Sequence, residues 1–192
     1  MKMKSLLAAA FFVIAVSRPS IYVTELKTQE SEDYLWSILS EESPNEYVAA
    51  GILGYFWRES YYRSDAVAHW IMYEEDPCEE FTEKLDNANK DEFIELVQMA
   101  GGYGLGQWYA KSHLESLYDF CKGYNTSFAD AEMQCMFTIH MCTNEPDVWE
   151  TLQNASSALV AGKVIGHLHD GSTVGAETIG AKAHQIYKER CE

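Results

Sequence analysis

Positive charge is scarce in this chain. Fourteen Lys and Arg stand against 30 Asp and Glu in 192 residues, a formal net charge of -16 at pH 7. A nucleic-acid-binding domain presents a basic face, so this balance argues against such a partner. Internal repeats are missing, and so is any convincing alternation of apolar and polar residues that would mark strands. The apolar run Leu6–Val16 is short for a stable membrane span. Usual zinc spacings are missing too. Cys135, His140 and Cys142 fit none of them, so no metal and no cofactor are expected. The five cysteines, Cys78, Cys121, Cys135, Cys142 and Cys191, are an odd number, which leaves at least one unpaired in a monomer. Cys135 and Cys142 could share a helix face, but their separation is about 10 Å of helical rise, beyond disulfide reach. Buried small cysteines are the simpler reading.

What is present suits one well-packed domain. The chain is 47% hydrophobic and 13% aromatic, which excludes a disordered class. Residues 1–17 stand apart: Lys2 and Lys4, a short apolar run, then small residues at Ala15-Val16-Ser17. They read as a secretory signal peptide or a weak membrane anchor, with a first helix or strand of the domain as the alternative. Residues 18–33 read as a polar linker and 34–192 as the domain. Leu35, Ile38 and Leu39 give a first helical stripe. Ser43-Pro44-Asn45-Glu46 has the form of a helix start, with Ser43 as cap, Pro44 at the first position and Glu46 reaching back. The helix continues through Val48, Ala49, Ile52, Leu53 and Phe56. Gly51 and Gly54 lower its propensity, which another helix packed close against them would offset.

Residues 62–100 are acidic and broken, and read as an insertion bordering the site, with one helix from Asp91 to Met99. The glycine-rich stretch 101–106 lacks the strand and βαβ context of a dinucleotide loop and reads as a tight turn or small hairpin. Leu114, Leu117, Tyr118 and Cys121 mark another helix. Ser127-Phe-Ala-Asp130 reads as a second capping box. It opens a helix apolar nearly all round, in which Gln134 is a buried polar group that needs a partner. Pro146 starts a short helix. Ala158–Leu168 and a segment with Ile179, Ala183, Ile186 and Tyr187 form the last two, joined by a turn at Asp170-Gly171. The fold class is therefore α+β, mostly helical.

Two stretches carry the chemistry. Gly51-Ile-Leu-Gly-Tyr-Phe-Trp-Arg-Glu59-Ser60 delivers a carboxylic acid at the edge of a buried helix face. Gly101-Gly-Tyr-Gly-Leu-Gly-Gln-Trp108 presents Tyr103, Gln107 and Trp108. An acid facing a polar-aromatic wall is what sugar-bond cleavage needs. The first stretch resembles the Glu-Ser segment of phage tail lysozymes, the second their Gly-Gln-Trp motif. AEMQCMF around Gln134 resembles a later helix of that family, and the segment from Leu159 to Tyr187 the end of its domain. The resemblance covers about residues 34–190, and the two motifs in this order are specific together.

It implies a lysozyme-like fold related to goose-type lysozymes and soluble lytic transglycosylases. It also implies cleavage of peptidoglycan between N-acetylmuramic acid and N-acetylglucosamine, with hydrolysis and transglycosylation both open. Glu59 would be the general acid, kept protonated near neutral pH by Tyr55, Phe56 and Trp108. Tyr103, Gln107, Trp108 and Ser60 would contact substrate, with Asp65 a candidate second acid. Gln134 reads as structural, and His167 and His169 as surface residues. Against these stand plainer readings: Glu59 as a solvated helix-end glutamate, Trp108 as core, Tyr103 as turn packing. Tyr55, and Tyr61-Tyr62-Arg63-Ser64 where a small residue, an apolar residue and Asn-Pro are expected, depart from the family pattern and bear on the groove rather than the acid. The runner-up function is a non-catalytic module that binds wall or stabilises a tail tip. A helical interaction protein with an accidental match is the third. The acidic charge opposes long-range attraction to an anionic wall, so phage tail proteins, a partner domain or a membrane anchor would deliver the enzyme, placing it outside the cytoplasm or on the virion tail.

Overall fold

The computed structural model describes residues 32–68, 78–169 and 173–192. The expected signal peptide at 1–17, most of the linker at 18–33 and the turn at Asp170-Gly171 lie outside the described residues. Among those described there are nine helices: α1 (32–42), α2 (Glu46–Ser60), α3 (Cys78–Asn87), α4 (Lys90–Ala100), α5 (Lys111–Tyr124), α6 (Ala131–Thr143), α7 (Pro146–Gln153), α8 (Ala158–His169) and α9 (Thr173–Cys191). No strand occurs among them. Where a small hairpin was expected, the glycine-rich stretch makes only isolated bridges, Val67 with Tyr103 and Tyr103 with Trp108. Three turn glycines with positive φ, Gly101, Gly102 and Gly104, curl the chain too tightly for a ladder to extend.

Helix α2 is the centre of the molecule. Every residue from Val48 to Phe56 is buried, so this helix is wrapped rather than laid on a core. Helices α8 and α9 do most of the wrapping and also pack on one another. Gly51 and Gly54 allow it, as their low propensity implied. A Cβ on Gly51 would lie 2.8 Å from Ile165 Cδ1 and 3.1 Å from Gly162 N; one on Gly54 would lie 2.8 Å from Ile179 O. Helix α9 also reaches α1, where Arg190 pairs with Glu32 at 3.0 Å and Asp33 at 2.7 Å.

Two helix starts differ from the sequence reading by two or three residues. The cap of α2 is Asn45, whose side chain accepts from Val48 N at 3.0 Å; Ser43 stays outside the helix and its buried hydroxyl has no partner among the described residues. The cap of α6 is Asp130, accepting from Met133 N at 3.0 Å, while Ser127 only closes a turn on Ala129 N. In both cases the later polar residue is the better placed, because its side chain reaches the orphan N–H three residues on. The described parts of the stretch 62–100, residues 62–68 and 78–100, are also not peripheral. Ala66, Val67, Leu85, Phe93 and Val97 from it are fully or almost fully buried core. On α3 and α4 the acidic residues other than half-buried Asp86 are exposed, and that outer charge masked an inward stripe. None of the five cysteines is in a disulfide, and four of them are buried.

Candidate active site

The site is built on the last turn of α2. Glu59 keeps 24% of its side-chain surface exposed, at the end of a helix otherwise sealed from Val48 to Phe56. Arg58 Nη1 donates to Glu59 Oε1 at 2.6 Å, and the arginine is 31% exposed. The surroundings of the acid therefore differ from the apolar pocket expected. Tyr55, Phe56 and Trp108 are buried, but a guanidinium touches the carboxylate and favours its charged form. The C-terminal end of the helix dipole acts the other way on Glu59 and with Arg58.

After Ser60 the chain turns through two consecutive left-handed tyrosines, Tyr61 at φ 52° and Tyr62 at φ 68°. Bulky side chains avoid this region. It is held because Tyr61 N donates to Trp57 O at 3.2 Å, Tyr62 N donates to Phe56 O at 3.4 Å, and the Tyr62 ring is buried. The turn sends residues 63–68 back alongside the glycine-rich loop. Gly104 N donates to Ala66 O at 2.8 Å and Ala68 N to Gly102 O at 3.2 Å. Gln107 Nε2 donates to Ala66 O at 3.0 Å and Gly104 O at 2.8 Å.

Two further groups lock this assembly. Tyr55, one turn before Glu59, donates its hydroxyl to Gly106 O at 2.6 Å. Gln134 is fully buried and finds the partners its burial demands. Its Oε1 accepts from Leu105 N at 2.7 Å, and its Nε2 donates to Ser64 O at 2.7 Å and to Phe128 O. One amide thus joins the turn after the acid, the glycine-rich loop and the approach to α6. A Cβ at Gly104 would meet Gln134 Oε1 at 2.7 Å, and one at Gly106 would meet the Trp108 ring at 2.7 Å. Those two glycines are there for close approach.

The residues expected to contact substrate are gathered around the same loop but differ in access. Tyr103 is 0% and Trp108 2% exposed, so neither ring offers a face to solvent. Tyr103 instead shares a 2.6 Å hydrogen bond with Thr82, and Trp108 packs edge-on against Phe137. Burial is the main cause raising the Tyr103 phenol far above its ordinary range. Ser60 is buried as well and donates back to Phe56 O at 3.0 Å. Gln107 is half-buried, in the left-handed region at φ 47°, with its amide N–H groups committed and its Oε1 without a protein partner among the described residues. Asp65 is 35% exposed and accepts from Arg63 Nε and Nη2 at 3.2 Å. His167 is exposed. His169 is not the surface residue expected: its ring stacks on Tyr55 with centroids 4.5 Å apart and its Nε2 is sealed from solvent. Burial, and then nearby His113, push the His169 imidazole down to about 3. Sequence reasoning missed Arg58, although a cation beside an acid in a last helical turn is a visible signal.

A family model described as phage tail lysozyme matches residues 30–189. The chain belongs to the phage tail lysozyme family. Membership gives it a lysozyme-like role on peptidoglycan in a phage-tail context. It also makes the chain a lysozyme-type or lytic enzyme in the general sense. No curated protein and no solved structure matched. No helix among the described residues is long and apolar enough to cross a membrane, and no metal-binding cluster occurs among them.

Proposed function

We propose that this lysozyme-family chain cleaves the peptidoglycan glycan strand between N-acetylmuramic acid and N-acetylglucosamine, with Glu59 as the general acid. The observation that carries the proposal is an accessible carboxylate at the end of a helix that is otherwise buried and is pinned to the glycine-rich loop one turn earlier. A general acid must be held still against its substrate, and the Tyr55 and Gln134 bonds do this. Asp65, partly exposed in the adjoining turn and paired with Arg63, is the candidate for positioning a water. Gln107 is half-buried with its Oε1 sealed from solvent, so it contributes to the shape of the loop. Tyr103, Trp108 and Ser60 act from behind, shaping the loop rather than touching the sugar. Whether the product is a reducing or an anhydro sugar is read by mass spectrometry of the digest.

The non-catalytic reading has one observation in its favour: the guanidinium on Glu59 stabilises a carboxylate that cannot donate a proton. Glu59→Gln separates the two. The substitution keeps size and most hydrogen bonding, so the melt should be unchanged. Turbidity clearing of purified walls should fall by about 10²–10⁴-fold, the usual worth of general acid catalysis. Clearing at near the wild-type rate rules out Glu59 as the acid. Binding of walls by both forms with clearing by neither favours the non-catalytic module.

A further inference from the structure

We propose that Tyr61 is a stacking platform for one sugar ring of the glycan strand, across the end of α2 from Glu59. This rests on the reading that the chain acts on that strand. The tyrosine stands where helices favour glycine. It follows the last residue of α2, at φ 52° and ψ 38°, and closes the helix by donating its N–H to Trp57 O. Glycine takes that left-handed position freely, whereas a larger residue is strained there. Tyr62 is also left-handed, but it is buried in the core, which offsets its strain. Tyr61 has no such compensation. It stays 50% exposed, and its ring meets Trp57 edge-on, with centroids 6.4 Å apart and planes at 80°. A strained bulky residue, half in solvent and two positions after the acid, marks a site of use rather than of packing.

The surroundings give the ring a firm backing. Trp57 is half-buried, and Lys182 Nζ from α9 lies 5.3 Å from the centre of its ring. Trp57 and Glu59 point about 200° apart around the helix axis, and the Tyr61 ring follows Trp57. A strand lying across the end of α2 would therefore meet the acid on one side and the Tyr61 ring on the other. A pyranose presents an apolar C–H face, which suits the electron-rich face of an aromatic ring. The two rings first expected to line the groove, Tyr103 and Trp108, are buried; Tyr61 is the exposed ring on the segment that carries the acid. Stacking also needs no charge, so it can hold a strand that a chain of net charge -16 would otherwise repel. Away from the bond that breaks, the contact is the same in the ground and transition states. It therefore acts on affinity and leaves the chemical step alone.

The test is calorimetric titration with soluble, uncross-linked glycan strands, in a Glu59→Gln background that keeps the strands intact. Adding Tyr61→Gly should weaken Kd by about tenfold. Its melting temperature should stay at or above that of the parent, because glycine relieves the left-handed position. Tyr61→Phe keeps the ring and should bind within about twofold of the parent. Tyr124→Ala removes another exposed tyrosine and should bind like the parent. Its helix, α5, has His113 near His169 at one end, and rises about 16 Å from there to Tyr124. With Glu59 restored, Tyr61→Gly should raise KM by a similar factor and leave kcat within about twofold. The proposal is overturned by an unchanged Kd in Tyr61→Gly, or by a melt below the parent's. It is overturned equally by a loss in Tyr61→Phe or Tyr124→Ala as large as in Tyr61→Gly, or by a fall in kcat with KM unchanged. Failure of the acid reads differently: if Glu59→Gln clears walls, the acid is reassigned and the Tyr61 comparison is read from KM. Strands bound by no form overturn both readings.

Discussion

Gln134 shows how much one side chain can hold at the scale of a residue. Replacing it with Leu would preserve volume and leave Leu105 N, Ser64 O and Phe128 O without their bonds. Each buried group left unpaired costs about 1–3 kcal/mol, so a loss of about 3 kcal/mol or more is expected in urea melts, with wall clearing lost at temperatures where the variant is still folded. His169 gives a pH signature. Its imidazole is pushed down to about 3 in the folded chain and titrates near about 6.5 when unfolded. Between those values the unfolded chain binds a proton that the folded chain refuses, so stability falls as pH drops from about 6.5 toward 3, by at most about 1.4 kcal/mol per unit. His169→Phe keeps the ring against Tyr55 and removes the titration. Its melting temperature should fall less than that of wild type between pH 7 and pH 4.5. The candidate acid was legible at this scale because a glutamate closing an apolar helical stripe is a local pattern. The burial of Tyr103 and Trp108 and the sealing of the His169 Nε2 were not, because they come from segments far apart in sequence folding over them.

At the scale of the element, most helices could be read from periodicity. Lys90–Ala100 was expected over Asp91–Met99, and Pro146–Gln153 does start at its proline. Their starts were harder, because several adjacent polar residues could each act as the cap and only the backbone decides among them. Asn45 does double duty, accepting from Val48 N and donating its Nδ2 to Leu152 O at 3.3 Å. Asn45→Ala should therefore destabilise by about 1–2 kcal/mol in thermal or chemical melts, at the upper end for a cap. Ser43→Ala should change the same melts by less than about 0.5 kcal/mol. The reverse order of effects would return the start of α2 to Ser43. The glycine-rich stretch could be read as a turn but not as a ladderless one, since nothing local says how many residues pair.

For the whole molecule, the net charge of -16 sets the approach to an anionic wall. Added salt screens that repulsion, with a Debye length falling to about 8 Å at physiological strength. Wall clearing by the isolated protein should therefore rise as sodium chloride goes from about 10 to about 150 mM, and an initial fall would mean that local cations such as Arg58 dominate encounter. The position of α2 between α8 and α9 has a consequence in time as well as in space. Gly51 meets Gly162, and Gly54 meets the backbone of Ile179 and Ala183, so the helix bearing Glu59 is made early and covered late. Synthesis at about 5–20 residues per second leaves it exposed for several seconds, and contacts this distant in sequence slow the closing step. Until α9 has been made and docked, this apolar segment is a target for chaperones and for aggregation, and the carboxylate at its end is not yet held in place.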